Sequence, residues 1–74
     1  MNFYLFEYGS GSDVESYLLP ADSYKLSVDL RGKIRLSCVV PTSTSFDGVT
    51  NFRPVGSPQF CRAVRENLKS PKRI

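Results

Sequence analysis

The chain is 74 residues long, 41% hydrophobic and 12% aromatic, with ten Lys and Arg against seven Asp and Glu, two cysteines and no His. A chain of this size buries only roughly 60% of its unfolded surface, so one small domain is expected, and its aromatic content excludes a disordered polyelectrolyte. No apolar run reaches the ~20 residues of a membrane span, and the lack of His with the wide separation of Cys38 and Cys61 excludes the common zinc ligand sets and a CxxC redox site.

From Asn2 to Tyr8, Phe3 and Leu5 alternate with Tyr4, Phe6 and Tyr8, so both faces are apolar or aromatic and a central or covered strand is predicted. The same stretch has neither the basic segment nor the long apolar segment of a secretory leader, which points to the cytoplasm. Gly9 and Gly11 then raise the question of a phosphate-binding loop. A dinucleotide fingerprint needs a third glycine where Val14 stands, and a P-loop needs a Lys-Ser/Thr pair that is missing. The glycines are read as a chain reversal. Ser12 stands three residues before Glu15, the spacing of a capping box, and Val14, Tyr17 and Leu18 follow at helical intervals. A helix of at most two turns is predicted there, stopped by Pro20.

Between Tyr24 and Val40 the pattern is period two. Tyr24, Leu26, Val28 and Leu30 alternate with Lys25, Ser27, Asp29 and Arg31, and after Gly32 the residues Ile34, Leu36, Cys38 and Val40 alternate with Arg35 and Ser37. This predicts a β-hairpin. Pairing Leu30 with Ile34, Val28 with Leu36 and Leu26 with Cys38 keeps every apolar group on one face, whereas a two-residue turn would oppose Val28 to Arg35. A three-residue connection Arg31-Gly32-Lys33, or a bulge that restores the same parity, is expected.

Beyond Pro41 the composition shifts to Thr, Ser, Asn and Gly as far as Gly56, a long connection for so small a domain and a functional suspect. Within it, Asp47-Gly48 reads as a two-residue hairpin turn leading into a short strand from Val49 to Arg53. Phe52 is expected to pack onto the sheet. Phe46, at the shoulder of the turn, is expected to be an exposed anchor for a partner, with Asp47 and Arg53 beside it.

Ser57-Pro58 is a helix start, hydroxyl at the N-cap and proline at the first helical position. Phe60, Cys61, Val64 and Leu68 form an apolar stripe, while Arg62, Arg65, Glu66 and Lys69 take the other side. The helix should end near Ser70-Pro71 and leave a basic flexible tail over 71–74, with 1–70 as a single globular domain. Charge follows the same division: six carboxylates exceed four Lys and Arg up to Phe52, whereas six Lys and Arg from Arg53 onward meet Glu66 alone. Such an end suits a polyanionic or acidic partner, and it equally suits a solvated helix face. Lys72 and Arg73 join Phe46, Asp47, Arg53, Arg62, Arg65 and Lys69 as candidate partner-binding residues.

No catalytic constellation is recognisable. Asp13 and Glu15, two residues apart, would fall on different faces of a helix, and Cys61 belongs to an apolar stripe. An enzyme is therefore not expected, nor a metal or cofactor, and two classes remain: a module that docks on a larger protein machine, or a small basic protein acting directly on RNA or DNA. The second has charge but no RNP-type aromatic motif, zinc finger or helix-turn-helix. The expected fold is α+β, a small antiparallel sheet of three or four strands with one C-terminal helix and room for a short helix after the first strand.

The chain as a whole, from MNFYLFEYGSGSDVESYLLP through SFDGVTNFRPVGSPQFCRAVRENLKSPKRI, resembles a small RNA polymerase-binding transcription regulator of a lytic Xanthomonas bacteriophage. The resemblance implies binding to host RNA polymerase near the β′ N-terminal region and the RNA exit region. It further implies inhibition of promoter-dependent initiation by interference with the σ factor, and antitermination aided by NusA. It carries no cofactor. A monomer in the cytoplasm of the bacterial host, within reach of nascent RNA, is the corresponding expectation.

Overall fold

Phe3, Tyr4, Leu5 and Phe6 form the strand their alternation requires, and it is a central one. In the computed structural model, which describes residues 1–39 and 44–69, β1 (Phe3–Tyr8) lies between β2 (Glu15–Pro20) and β6 (Thr50–Val55) in an antiparallel sheet of order β2-β1-β6. A second antiparallel sheet has the order β3-β4-β5, from Tyr24–Val28, Ile34–Cys38 and Ser45–Asp47. A 3₁₀ turn over Ala21–Ser23 joins the two sheets, and α1 (Pro58–Lys69) follows β6. The class is α+β as expected, with two three-stranded sheets in place of one sheet of three or four strands.

The sheets meet over aromatic rings. Tyr4 and Phe6 of β1 point inward and are buried, as are Leu36 of β4, Val49, and Val64 of α1. Phe6 stacks on Tyr17 at 5.5 Å and meets Phe46 edge-on at 5.4 Å, while Tyr4 lies 5.5 Å from Phe52 and 5.7 Å from Phe60 of the helix. Burial, and after it the Asp22 carboxylate, push the Tyr4 phenol above its ordinary pKa. Phe52 thus packs inward as its pattern implied.

The helix predicted after Gly11 is a strand. Over so short a window Val14, Tyr17 and Leu18 fit a helical period, yet Tyr17 and Leu19 also fit period two, and pairing with β1 decides between them. Tyr17 sits opposite Phe6 and Leu19 opposite Tyr4, so the strand buries two side chains against the core, with Leu18 left outside. A backbone bond from Asp13 N–H to the Ser10 carbonyl (3.0 Å) closes the turn. Gly9 is required there because its φ of 138° is left-handed-side backbone and a Cβ would collide with the Asp13 carbonyl.

The hairpin has the predicted parity and a different register. Leu26 pairs with Leu36, not Cys38, and Val28 with Ile34, so the ladder is displaced by two residues and the apolar face is kept. The connection is longer than the expected Arg31-Gly32-Lys33 because Asp29 caps it: its Oδ1 accepts N–H bonds from Arg31 (2.9 Å) and Lys33 (2.8 Å). Leu30 is consequently in the loop and 63% exposed. Val40 lies outside the described residues.

The segment read as a long connection carries β5 and β6. Asp47-Gly48 does not turn a hairpin, since β5 pairs with β4 and β6 with β1. Instead the Gly48 and Val49 N–H groups both donate to the Ile34 carbonyl (2.9 and 3.4 Å), and the chain crosses from one sheet to the other. Helix α1 starts as predicted: the Phe60 N–H donates to Ser57 Oγ at 3.2 Å. Ser57 N–H in turn donates to Asn2 Oδ1 (3.0 Å), which ties the helix start to the start of β1. Val64 is buried and Phe60, Cys61 and Leu68 are half-buried, as the stripe requires.

Candidate docking surfaces

Among the described residues, the predicted partner-binding side chains fall on different parts of the fold. Phe46 is not an exposed anchor, and that expectation is corrected: its ring is half-buried among Phe6, Tyr8 (5.1 Å), Tyr17 (5.2 Å) and Tyr24 (6.3 Å). The reason is parity. In β5 the residue between Ser45 and Asp47 faces inward, opposite the fully buried Leu36. Asp47 is exposed and pairs with Arg35 Nε at 3.2 Å, an exposed ion pair that contributes little to stability. Arg53 is on the other sheet, across from Leu5, so the expected Phe46, Asp47 and Arg53 grouping is not assembled on one sheet.

Arg62, Arg65 and Lys69 are all exposed on α1 and follow i, i+3, i+7 spacing, which places them on one helix face away from Val64. Lys72 and Arg73 lie outside the described residues.

A surface that sequence reasoning missed is the outer face of the β2-β1-β6 sheet. Its rungs run Pro20–Phe3–Val55, Leu18–Leu5–Arg53 and Ser16–Glu7–Thr50, from apolar at one end to polar at the other. Phe3 and Leu5 are half-buried, while Leu18 (56%) and Val55 (40%) are exposed. At the polar end the Asn51 side-chain amide donates to Glu7 Oε1 at 2.6 Å, where β6 is bulged and Asn51 takes a left-handed φ of 49°. A shallow groove of about 480 Å³ opens between Leu5, Glu7, Ser16, Asn51 and Arg53. The available signal was the doubly apolar character of β1. That pattern fits a central or a covered strand, and β1 is central, with one face covered and the other open.

These surfaces offer apolar contact, one flanking cation and a separate basic stripe. No protein family, curated protein or solved structure matches this chain. No described helix is long and apolar enough to cross a membrane.

Proposed function

We propose that this protein is a non-catalytic regulator that docks on the multisubunit RNA polymerase of a bacterial host, near the β′ N-terminal region and the RNA exit region. In this reading it lowers promoter-dependent initiation by interfering with the σ factor and promotes antitermination with NusA, in the host cytoplasm. The full-length resemblance to a phage regulator supplies the partner. The structural observation that supports it is the separation of two surfaces on one small domain: an open apolar sheet face around Leu5 and Leu18, and a basic helix face of Arg62, Arg65 and Lys69. The first suits a protein surface, where apolar contact holds the complex. The second suits the polyanionic surroundings of emerging RNA.

The test is a defined transcription reaction with purified polymerase, σ factor and NusA. Added protein is expected to reduce initiation at a promoter and raise read-through at a terminator. No change in either would end the proposal. The basic stripe also supports a second reading, direct binding to RNA or DNA, which requires retention on nucleic acid alone with affinity falling steeply as salt rises.

A further inference from the structure

We propose that the outer edge of β2 accepts an extended segment of a partner protein as an additional antiparallel strand, with basic residues at both ends of that segment. The Ala21 N–H donates to the Asn2 carbonyl at 3.0 Å, which fixes the phase of the β1–β2 ladder. Hydrogen-bonded pairs alternate with non-bonded ones, so Tyr4–Leu19 and Phe6–Tyr17 are bonded while Leu5–Leu18 and Glu7–Ser16 are not. Ser16 and Leu18 therefore direct both N–H and C=O away from β1, while the Pro20 carbonyl is engaged by the 3₁₀ turn that it caps. Pro20 sits where the ladder needs no N–H, as an edge proline must.

The other edges are guarded. On β6, Pro54 has no N–H to offer outward, the strand is bulged, and α1 packs beside it. Strand β5 has three residues and ends in the Asp47–Arg35 ion pair. Lys25 stands within β3. By contrast β2 is six residues long, carries no Lys or Arg, and exposes Leu18 at its middle.

Charge selects the occupant. From Tyr8 to Tyr24 the chain has three carboxylates, Asp13, Glu15 and Asp22, all exposed, and no Lys or Arg. Two flank the first end of β2 and one the last. A second copy of this chain is disfavoured, because antiparallel pairing of Ser16 with its partner's Leu18 brings each Asp13 opposite Ala21 and so beside Asp22 at both ends. An incoming segment with an apolar residue near Leu18 and a base at each end meets complementary charge over the roughly 20 Å that six strand residues span. The inference rests on the docking reading above in taking a protein segment as the occupant.

The experiment titrates the full ¹⁵N-labelled chain with the capped peptide Arg-Thr-Val-Thr-Val-Thr-Arg. The Ser16 and Leu18 amides are expected to shift and to exchange at least tenfold more slowly at saturation. A peptide N-methylated at alternate residues, which keeps the side chains and loses the backbone donors, should bind at least tenfold more weakly, as should one with Glu in place of Arg. Ser16→Pro, which removes an outward donor without touching the ladder, and Leu18→Lys should each weaken binding similarly in chains whose spectra remain folded. The inference is overturned by equal binding of the N-methylated peptide, by shifts confined to other residues, by no saturable shift at millimolar peptide, or by a concentration-dependent dimer that Leu18→Lys abolishes. A parallel polymerase-binding assay separates the two proposals. If the peptide binds β2 and polymerase does not bind, only the polymerase reading falls; if Leu18→Lys binds polymerase as well as the parent chain, the edge is not where that partner is held and this inference falls.

Discussion

Phe46 lies directly across from Leu36 in the β4–β5 ladder, and Leu36 has no exposed surface. The ring spans the gap between sheets to reach Phe6 and Tyr8. Phe46→Ala is expected to destabilise the fold by about 2 to 3 kcal/mol, the lower end for removing an aromatic ring because this one is half-buried. Urea unfolding measures it. Asp47→Ala, next door but exposed, should shift stability by no more than about 0.5 kcal/mol.

The hairpin register makes a spectroscopic prediction. Asp29 N–H donates to the Lys33 carbonyl at 3.0 Å, so Leu26–Leu36 is a non-hydrogen-bonded pair with its Cα hydrogens close together. A strong Hα–Hα NOE is expected between Leu26 and Leu36 and none between Leu26 and Cys38. Asp29→Ala, which removes the acceptor for two turn N–H groups, should cost about 1 kcal/mol.

At the helix start, Ser57→Ala should lose about 1 kcal/mol through the missing N-cap. Gly56→Ala should cost more. Gly56 has a φ of 147°, and a methyl group there would run into the Asn2 side chain and Cα. Thermal unfolding of the two variants, followed by helix ellipticity, ranks them.

Tyr4 predicts an alkaline limit. Its folded pKa is raised above 10.0, so the folded state holds its proton more tightly than the unfolded state does. The associated stability is complete below pH 10 and is lost as pH rises through the folded value. Unfolding free energy measured from pH 8 upward should fall at the alkaline end, and Tyr4→Phe should reduce that fall. Asp22→Asn should reduce it less, since burial is the larger cause.

Reversing Arg62 and Arg65 to Glu should leave unfolding nearly unchanged, because both are exposed on α1. If the basic face steers the protein to its partner, association with polymerase should slow and its salt dependence flatten, with little effect on dissociation. Stopped-flow mixing at several ionic strengths reads both rates. A change confined to dissociation would mean that the arginines are contact residues.

Several elements were legible because a local pattern and a local physical cause coincide. The Ser57-Pro58 cap and the Phe60, Val64, Leu68 stripe specify α1 without outside help, and strict alternation specifies β3, β4 and their parity. The register within that parity was not legible. It depends on the Asp29 carboxylate capping a longer turn, and both registers keep the same residues on the same face. The candidate site was less legible still, since whether Phe46 or Leu18 is exposed depends on which sheet each strand joins.

The amino-acid order alone therefore determined the α+β class, the helix, the central strand and the hairpin's apolar face, because these follow from periods of 3.6 and two and from capping chemistry within a few residues. Only the tertiary structure decided that Glu15–Pro20 is a strand, that Asp47-Gly48 joins two sheets, and that the face carrying Leu5 and Leu18 stays open. Those outcomes turn on contacts between residues distant in sequence: Tyr17 with Phe6, Phe46 with Leu36, Pro54 with Tyr4. A short segment compatible with two periods takes the one that its distant partner can bury.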